Sequence, residues 1–490
     1  MFNVKEYDAY GAFGDGVHID SRAIQESLDS AEAAGGGIVH LPAGTYLIDE
    51  TIMLPNKVLL SGVGGTVFGR ADLDISGTAP DKFLAQALTI IKLADNSDNI
   101  DMLRQKGDNV NSSKKRDRTF YQSGIENIVF YGNKANQKST SVNNGIVIED
   151  TNIECRGHCR FRNVLLYKMK GDGFYGGSYH HELFIDEMFS INCDGNGITF
   201  RGMDCKVSRS GSGFNGKTGI VITGGYSIPG RSSGGAARCY DLDAWNNEYG
   251  IEISDCINIE VFGAGIDGNR KSGLYIHPGA AGISPRQIQF FRAVLSVNSE
   301  SGMGLHAEVL IEGNAFNIVF NSCLFRGSFV DLKRPSYAIQ DVSTSPARNL
   351  VTGCGIARGA YTKGIINNTG IYSFRDNYDL STNEMLDESN LPYNYIESDK
   401  YIIKRSDCYL TVNTIGKETI LTLPPISETQ VGKVYYIAKS DSNDVLLKVA
   451  PAQGETISGI SEIGQRFDVL MIINAGSGWF STKISNGSNK

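Results

Sequence analysis

Nowhere in the 490 residues is there an uninterrupted apolar run of about 18 residues, so no segment is built to cross a bilayer as a helix and no membrane insertion is expected. Basic residues are outnumbered, 46 Lys and Arg against 54 Asp and Glu, for a net charge of −8. No nucleic-acid partner is expected, because phosphate binding needs a basic face that releases counterions. The opening Met1-Phe2-Asn3-Val4-Lys5-Glu6 lacks the basic and then apolar stretches of a secretion signal. Nine cysteines, an odd number in so long a chain, argue against a complete disulfide framework and for synthesis in a reducing cytoplasm. Cys155-Arg156-Gly157-His158-Cys159 has the ligand types zinc takes, but no second pair with matching spacing follows; buried thiols are the plainer reading and no metal site is expected. Proline is scarce, 12 residues against 57 glycines, so turns are numerous and glycine makes them.

What is present is a repeat. A glycine followed by a large apolar residue recurs at Gly145-Ile146, Gly173-Phe174, Gly197-Ile198, Gly219-Ile220, Gly250-Ile251, Gly273-Leu274 and Gly304-Leu305, in steps of 28, 24, 22, 31, 23 and 31. Each step is too long for a hairpin, lacks an amphipathic helix and carries short alternating segments such as Ile251-Glu252-Ile253 and Leu274-Tyr275-Ile276. That is one three-stranded coil per repeat, the period of a solenoid. Alternation puts every second side chain into a narrow core. Glycine is expected to let the backbone take a tight corner before each strand. Asn192, Asn215, Asn246, Asp267 and Asn298, shortly ahead of these glycines, are expected at corners, where their side chains can bond backbone groups or the next coil.

The expected fold class is all-β, a right-handed parallel β-helix (three-sheet solenoid) with an N-terminal helix cap and a C-terminal β-sandwich-like module. Residues 1–66 form the cap and first coils, with Asp20 or Ser21 as helix N-cap, Ile24, Leu28 and Ala31 on one face, and Gly35-Gly36-Gly37 as the stop. Residues 67–122, including Lys114-Lys115-Arg116-Asp117-Arg118, read as an inserted polar loop leaving the helix. Roughly ten coils over 123–375 give a rod about 48 Å long, whose open ends need caps. Residues 376–397 read as a linker, and 398–490 as short antiparallel strands forming a sandwich.

The first 65 residues resemble the opening of the pectate-lyase superfamily, found in rhamnogalacturonase-like enzymes and many phage tail spikes. The resemblance lies in Tyr10-Gly11-Ala12-Phe13-Gly14-Asp15-Gly16, Ala23-Ile24-Gln25 and Gly35-Gly36-Gly37 through Leu41-Pro42-Ala43-Gly44-Thr45-Tyr46. His18-Ile19-Asp20 departs from the usual Thr-Asp-Asp. Val431-Gly432-Lys433-Val434-Tyr435, Gly454-Glu455-Thr456-Ile457-Ser458-Gly459 and Gly478-Trp479-Phe480 resemble modules that end phage tail fibres. The resemblance implies a homotrimeric virion spike, seated with other phage tail or baseplate proteins, that binds and depolymerises a bacterial surface polysaccharide. A family opening conveys fold and little chemistry. The Asp-Asp pair and Gly-His-Gly of polygalacturonases are absent, and no calcium-binding aspartate cluster can be assigned, so no cofactor is expected, with a calcium ion only for a lyase.

Hydrolysis of a glycosidic bond needs two carboxyl groups flanking it, which adjacent coils supply in register. The first candidate patch is Asp241 and Asp243 followed by Glu252, with Trp245 as a sugar platform if Leu242 and Ala244 face the core; an alternative register turns Trp245 inward. The second is Glu182 with Asp186, Glu187 and, one coil on, Asp204, joined by one of the adjacent histidines, assigned as His181. Arg231, Arg238, Arg270 and Lys271 supply cations for an acidic substrate or for an elimination. The rival from another class is a non-catalytic receptor-binding or structural virion protein, and a secreted epimerase or lyase is a third reading.

Overall fold

The computed structural model describes residues 1–484 other than 7–10, 64–87, 107–118, 149–153, 178–179, 202–203, 225–234, 331–332, 344–347, 369–370, 387–392, 405–406, 408, 415, 430 and 467. The inserted segment's basic run and Arg231 lie outside the described residues.

Coils stack in parallel register into two hydrogen-bonded sheets. A narrow sheet of eleven strands runs from Ile52–Leu54 through Ile198–Arg201, Ile220–Thr223, Ile251–Ser254, Leu274–His277 and Val309–Ile311 to Gly364–Asn368. Ten intervals make about 48 Å. A broad sheet of 25 strands carries the rest of each coil. It folds along columns of single left-handed residues: Lys57, Gln122, His158, Glu182, Asp204, Ala236, Asn258, Gln287 and Asn317 make one, and Asn127, Asn163, Glu187, Arg209, Asp241 and Arg292 a second. One left-handed residue turns the strand without a loop, so the two sheets present three faces.

The inward rows explain the period of two. Ile198, Ile220, Ile251, Leu274 and Val309 pair in register and are buried. Each such side chain contributes about 1.5–3 kcal/mol on leaving water. Cys159, Cys193, Cys205, Cys239, Cys256, Cys323 and Cys354 are buried free thiols. His158 is exposed while its neighbour Cys159 faces the core, so the pair does not converge on a metal.

The glycine column marks the strands for a different reason from the one expected. Gly145, Gly173, Gly197, Gly219, Gly250 and Gly273 do not have left-handed φ. They are there because the next coil approaches too closely for a Cβ: on Gly197 it would lie 1.8 Å from the Ser212 hydroxyl and 2.6 Å from the Gly219 carbonyl oxygen. Gly197→Ala should therefore destabilise by about 3 kcal/mol or more, seen as a lower denaturant midpoint. An unchanged midpoint would mean that the coils can spread.

The asparagines divide into two sets. Asn192 and Asn246 sit at left-handed corners. Asn215, Asn247, Asn269 and Asn298 form a buried ladder in which each side-chain amide donates to the next asparagine's carbonyl oxygen, at 2.9, 3.3 and 2.8 Å. Asp267 belongs to neither set: it lies on a strand beside Trp245. Gly304-Leu305 lies in a turn, and the strand paired with Leu274–Ile276 starts at Val309. The glycine column thus passes from Gly273 to Glu308, whose buried carboxyl accepts from the Asn298 amide and ends the ladder.

The ends also differ from expectation. Helix Ser21–Ala33 buries Ile24, Leu28 and Ala31, but Asp20 makes no side-chain cap. Its buried carboxylate instead accepts from the Phe13 and Gly14 amides, at 2.7 and 3.1 Å. The segment expected to leave the helix contains Thr89–Leu93 and Leu103–Gln105, which are rungs of the two sheets. In the carboxy-terminal module two sheets enclose a core that includes Tyr435, Leu470 and Trp479. Its first strands pair in parallel, Tyr393–Ile396 with Tyr409–Val412 and Lys400–Ile402 with Thr419–Thr422, and antiparallel pairing begins only later, at Val434–Lys439 with Val469–Asn474.

Candidate active site

A group of titratable side chains joined by hydrogen bonds lies on the outer face of the narrow sheet. Strands Ile220–Thr223, Ile251–Ser254, Leu274–His277 and Val309–Ile311 stack so that Glu252 and Tyr275 share one outward row. His277 stands in the next row, and Glu312 follows it one coil on.

His277 Nε2 lies 3.1 Å from Glu252 Oε1, and Nδ1 lies 2.8 Å from the Pro278 carbonyl oxygen. An ionised Glu252 and the Pro278 carbonyl are both acceptors, an arrangement that favours the doubly protonated ring. Burial works against that charge, but the Glu252 hydrogen bond, the Pro278 carbonyl and the charges of Glu252 and Glu312 outweigh it, raising the group above its ordinary 6.5. The side chains of His277 and Glu252 are 19% and 23% exposed, shielded enough to interact and open enough to be reached. Thr218 donates to the other Glu252 oxygen at 3.0 Å.

Tyr275 stacks on the His277 ring at 4.1 Å and donates to Glu312 Oε2 at 2.6 Å. Burial first, and then Glu312, push its phenol above the usual tyrosine range, so it remains a donor. Tyr249 stacks behind it at 5.0 Å, and Lys271 lies over Tyr249 while pairing with Glu248.

Of the residues expected to work together, Glu252 and Lys271 come to this row, but Asp241 and Asp243 do not. Those two lie on the broad sheet, exposed, Asp241 at a left-handed corner. Leu242 and Ala244 do face the core, so Trp245 points outward. It is nevertheless only 6% exposed, because it lies flat on Gly211 and Gly213 of the preceding coil with Phe214 edge-on, and a sugar ring cannot reach its face. Arg270 donates to the Asn215 and Gly216 carbonyls and clamps a turn.

The second patch divides too. Asp186 and Glu187 pair with Arg209. Glu182, Asp204 and Arg238 line one groove on the broad sheet with His158, Phe184 and Lys206. The side chain of His181 lies outside the described ones. Among the described residues no group of three or more His, Cys, Asp or Glu is placed to hold a metal ion.

His277, Tyr275 and Glu312 were missed in the sequence. The alternation in Leu274-Tyr275-Ile276-His277 marks Tyr275 and His277 as outward, but only the coil register brings Glu252 and Glu312 beside them.

Fold and register define a right-handed parallel β-helix. Residues 1–222 match the family described as rhamnogalacturonase A/epimerase, pectate lyase-like. Mannuronan C5-epimerase AlgE4 of Azotobacter vinelandii is 46% identical over 70 residues, 13% of this chain and 12% of that protein. Plasmin and fibronectin-binding protein A of Streptococcus pneumoniae is 52% identical over 52 residues, 10% and 7% of the two chains. The chain therefore spans only a small part of these curated relatives. Among solved structures, the A-module of the same epimerase superposes with a TM-score of 0.51 at 19% identity, covering 76% of this chain and 99% of that one. The tailspike protein of E. coli bacteriophage HK620 gives 0.56 at 11% identity, covering 99% and 92%. At such identities the likeness is one of fold.

Proposed function

We propose that the chain binds and hydrolyses a bacterial surface polysaccharide, such as a capsule, exopolysaccharide or teichoic acid, as a bacteriophage tail-spike or appendage protein acting at the cell surface. The observation that carries cleavage is the His277 ring set between carboxylates two coils apart, Glu252 before it and Glu312 after. Two coils separate Glu252 from Glu312, about 10 Å at the backbone, with His277 on the coil between them.

In this reading His277 gives its Nε2 proton to the glycosidic oxygen as the bond to the anomeric carbon breaks. Glu312 takes a proton from the water that attacks the opposite face, and the new reducing end is inverted. Glu252 keeps the imidazole charged, and Tyr275 holds Glu312.

Fold likeness to a tailspike supports the virion assignment, and with it a homotrimer in contact with other tail or baseplate proteins. The epimerase names among the relatives support a second chemistry, proton abstraction from an acidic sugar at the same row. Incubating the protein with host capsule, exopolysaccharide or wall polymer separates the readings. New reducing ends without absorbance from an unsaturated uronate are expected. Absorbance would favour elimination, and no fragments from any of the polymers would leave a non-catalytic receptor-binding spike. A solution mass of three chains is expected, and a monomer would sink the trimer.

A further inference from the structure

We infer that the broad sheet carries a second carbohydrate site, a binding track for an uncharged pyranose chain, on the face next to the acid–base row. Its centre is a groove of about 460 Å³ lined by His158, Glu182, Phe184, Asp204, Lys206 and Arg238. His158 also lines a neighbouring cleft of about 370 Å³ with Gln122 and Arg160, so the depression runs along the helix axis across successive coils.

Three observations point to a sugar chain. The first is the left-handed column beneath the groove. A corner needs only a residue that tolerates positive φ, and asparagine serves at Asn258 and Asn317. Under the groove the same column carries His158, Glu182 and Asp204, ionisable groups that the fold does not require. Among the described residues the Asp204 carboxylate makes no hydrogen bond or ion pair, and Glu182 pairs with the exposed His158 at 3.7 Å. Two carboxylates one coil apart can each accept from the hydroxyls of a sugar.

The second observation is aromatic. Phe184 lies half-buried in the groove, with the cations of Arg160 and Lys206 6.0 and 5.6 Å from its ring centre. One outward row further along, Tyr240, Phe262 and Phe291 from three consecutive coils stack at 5.3 and 4.8 Å, tilted by only 10° and 8°. Such a row of rings repeats at the coil spacing and offers an apolar strip for the C–H faces of pyranose rings. Tyr240 is 39% exposed, so the strip is reachable.

The third is charge balance. Arg160, Lys206 and Arg238 are matched in number by Glu182, Asp204 and Glu260 on the same stretch of the sheet, and Arg238 pairs with Glu260 at 3.1 Å. A track for a polyanion would carry an excess of cations. Donors and acceptors in equal number beside stacked rings suit hydroxyl groups.

Affinity electrophoresis of the full chain tests the track directly, in gels containing dextran, laminarin or xylan as uncharged probes and polymannuronate as a charged one. At least one uncharged polymer should retard the protein, equally at about 0.05 and 0.5 M salt, since screening acts on charge and not on stacking. Phe184→Ala and Asp204→Asn should each weaken retardation about tenfold, whereas His277→Gln should leave it unchanged. That last variant separates the track from the proposed cleavage, which can fail while binding persists. If either of those variants unfolds, Lys206→Gln, a surface change that leaves packing intact, should still weaken retardation. Retardation by polymannuronate alone, by none of the polymers, or equally in all the groove variants would overturn the inference.

Discussion

Replacing His277 with glutamine is expected to slow polysaccharide cleavage by about 10²- to 10⁴-fold, the usual contribution of a positioned general acid, with little change in fold. Glutamine can keep a hydrogen bond to Glu252 but cannot release a proton. A rate within tenfold of the parent would remove His277 from the chemistry. The pH profile adds a stricter test. The acid form is required, and His277 is held above 6.5, so activity should persist above the ordinary imidazole range and fall as pH rises through the shifted value. Glu252→Gln removes the carboxylate that contributes most to the upward shift. Its alkaline limb should move to lower pH while its plateau changes less than in His277→Gln. A limb that stays in place would assign the ionisation to another group.

Replacing Glu308 with glutamine is expected to stabilise the protein in alkaline solution. Glu308 takes the place of a glycine in the column, is fully buried and accepts from Asn298. Burial pushes its carboxyl up to about 8, above the 4.5 of an exposed glutamate. Between those values the folded chain holds a proton that the unfolded chain has released, so stability falls as pH rises. The contribution is fully present below about 4.5 and is lost by the time pH passes 8. The loss is on the order of 5 kcal/mol, about 3.5 pH units at 1.36 kcal/mol each. Glutamine is neutral in both states and offers the same carbonyl oxygen to Asn298. Denaturation of Glu308→Gln should match the parent near pH 4 and exceed it near pH 8 to 9. Parallel pH profiles would show that the ladder's end admits water or a counter-charge.

Much of the fold was legible because it depends on local rules. Alternation in Ile251-Glu252-Ile253 placed Glu252 on the outside, and the glycine steps counted coils down to Gly273. The reason for the glycines was not legible, since Gly197 is required by Ser212 and the Gly219 carbonyl in neighbouring coils, and no local pattern shows a close approach. For the same cause Glu308 went unseen as a member of the column. Trp245 shows the limit clearly: the sequence left its direction open between two registers, and its burial depended on two glycines of another coil.

The sites divide in the same way. Sequence alone settled a parallel β-helix with one-residue alternation, a helix at one end and a separate β module at the other, because alternation, helical spacing and turn residues act within a few positions along the chain. It also marked Glu182, Asp204, Arg238, Glu252 and Lys271 as groups worth placing. Only the stacking of coils decided that Glu252 joins His277 rather than Asp241, and that Asp204 stands beside Glu182. Coil lengths vary from one turn to the next, so register across the sheets, and with it every contact between coils, is set by which backbones can close on one another.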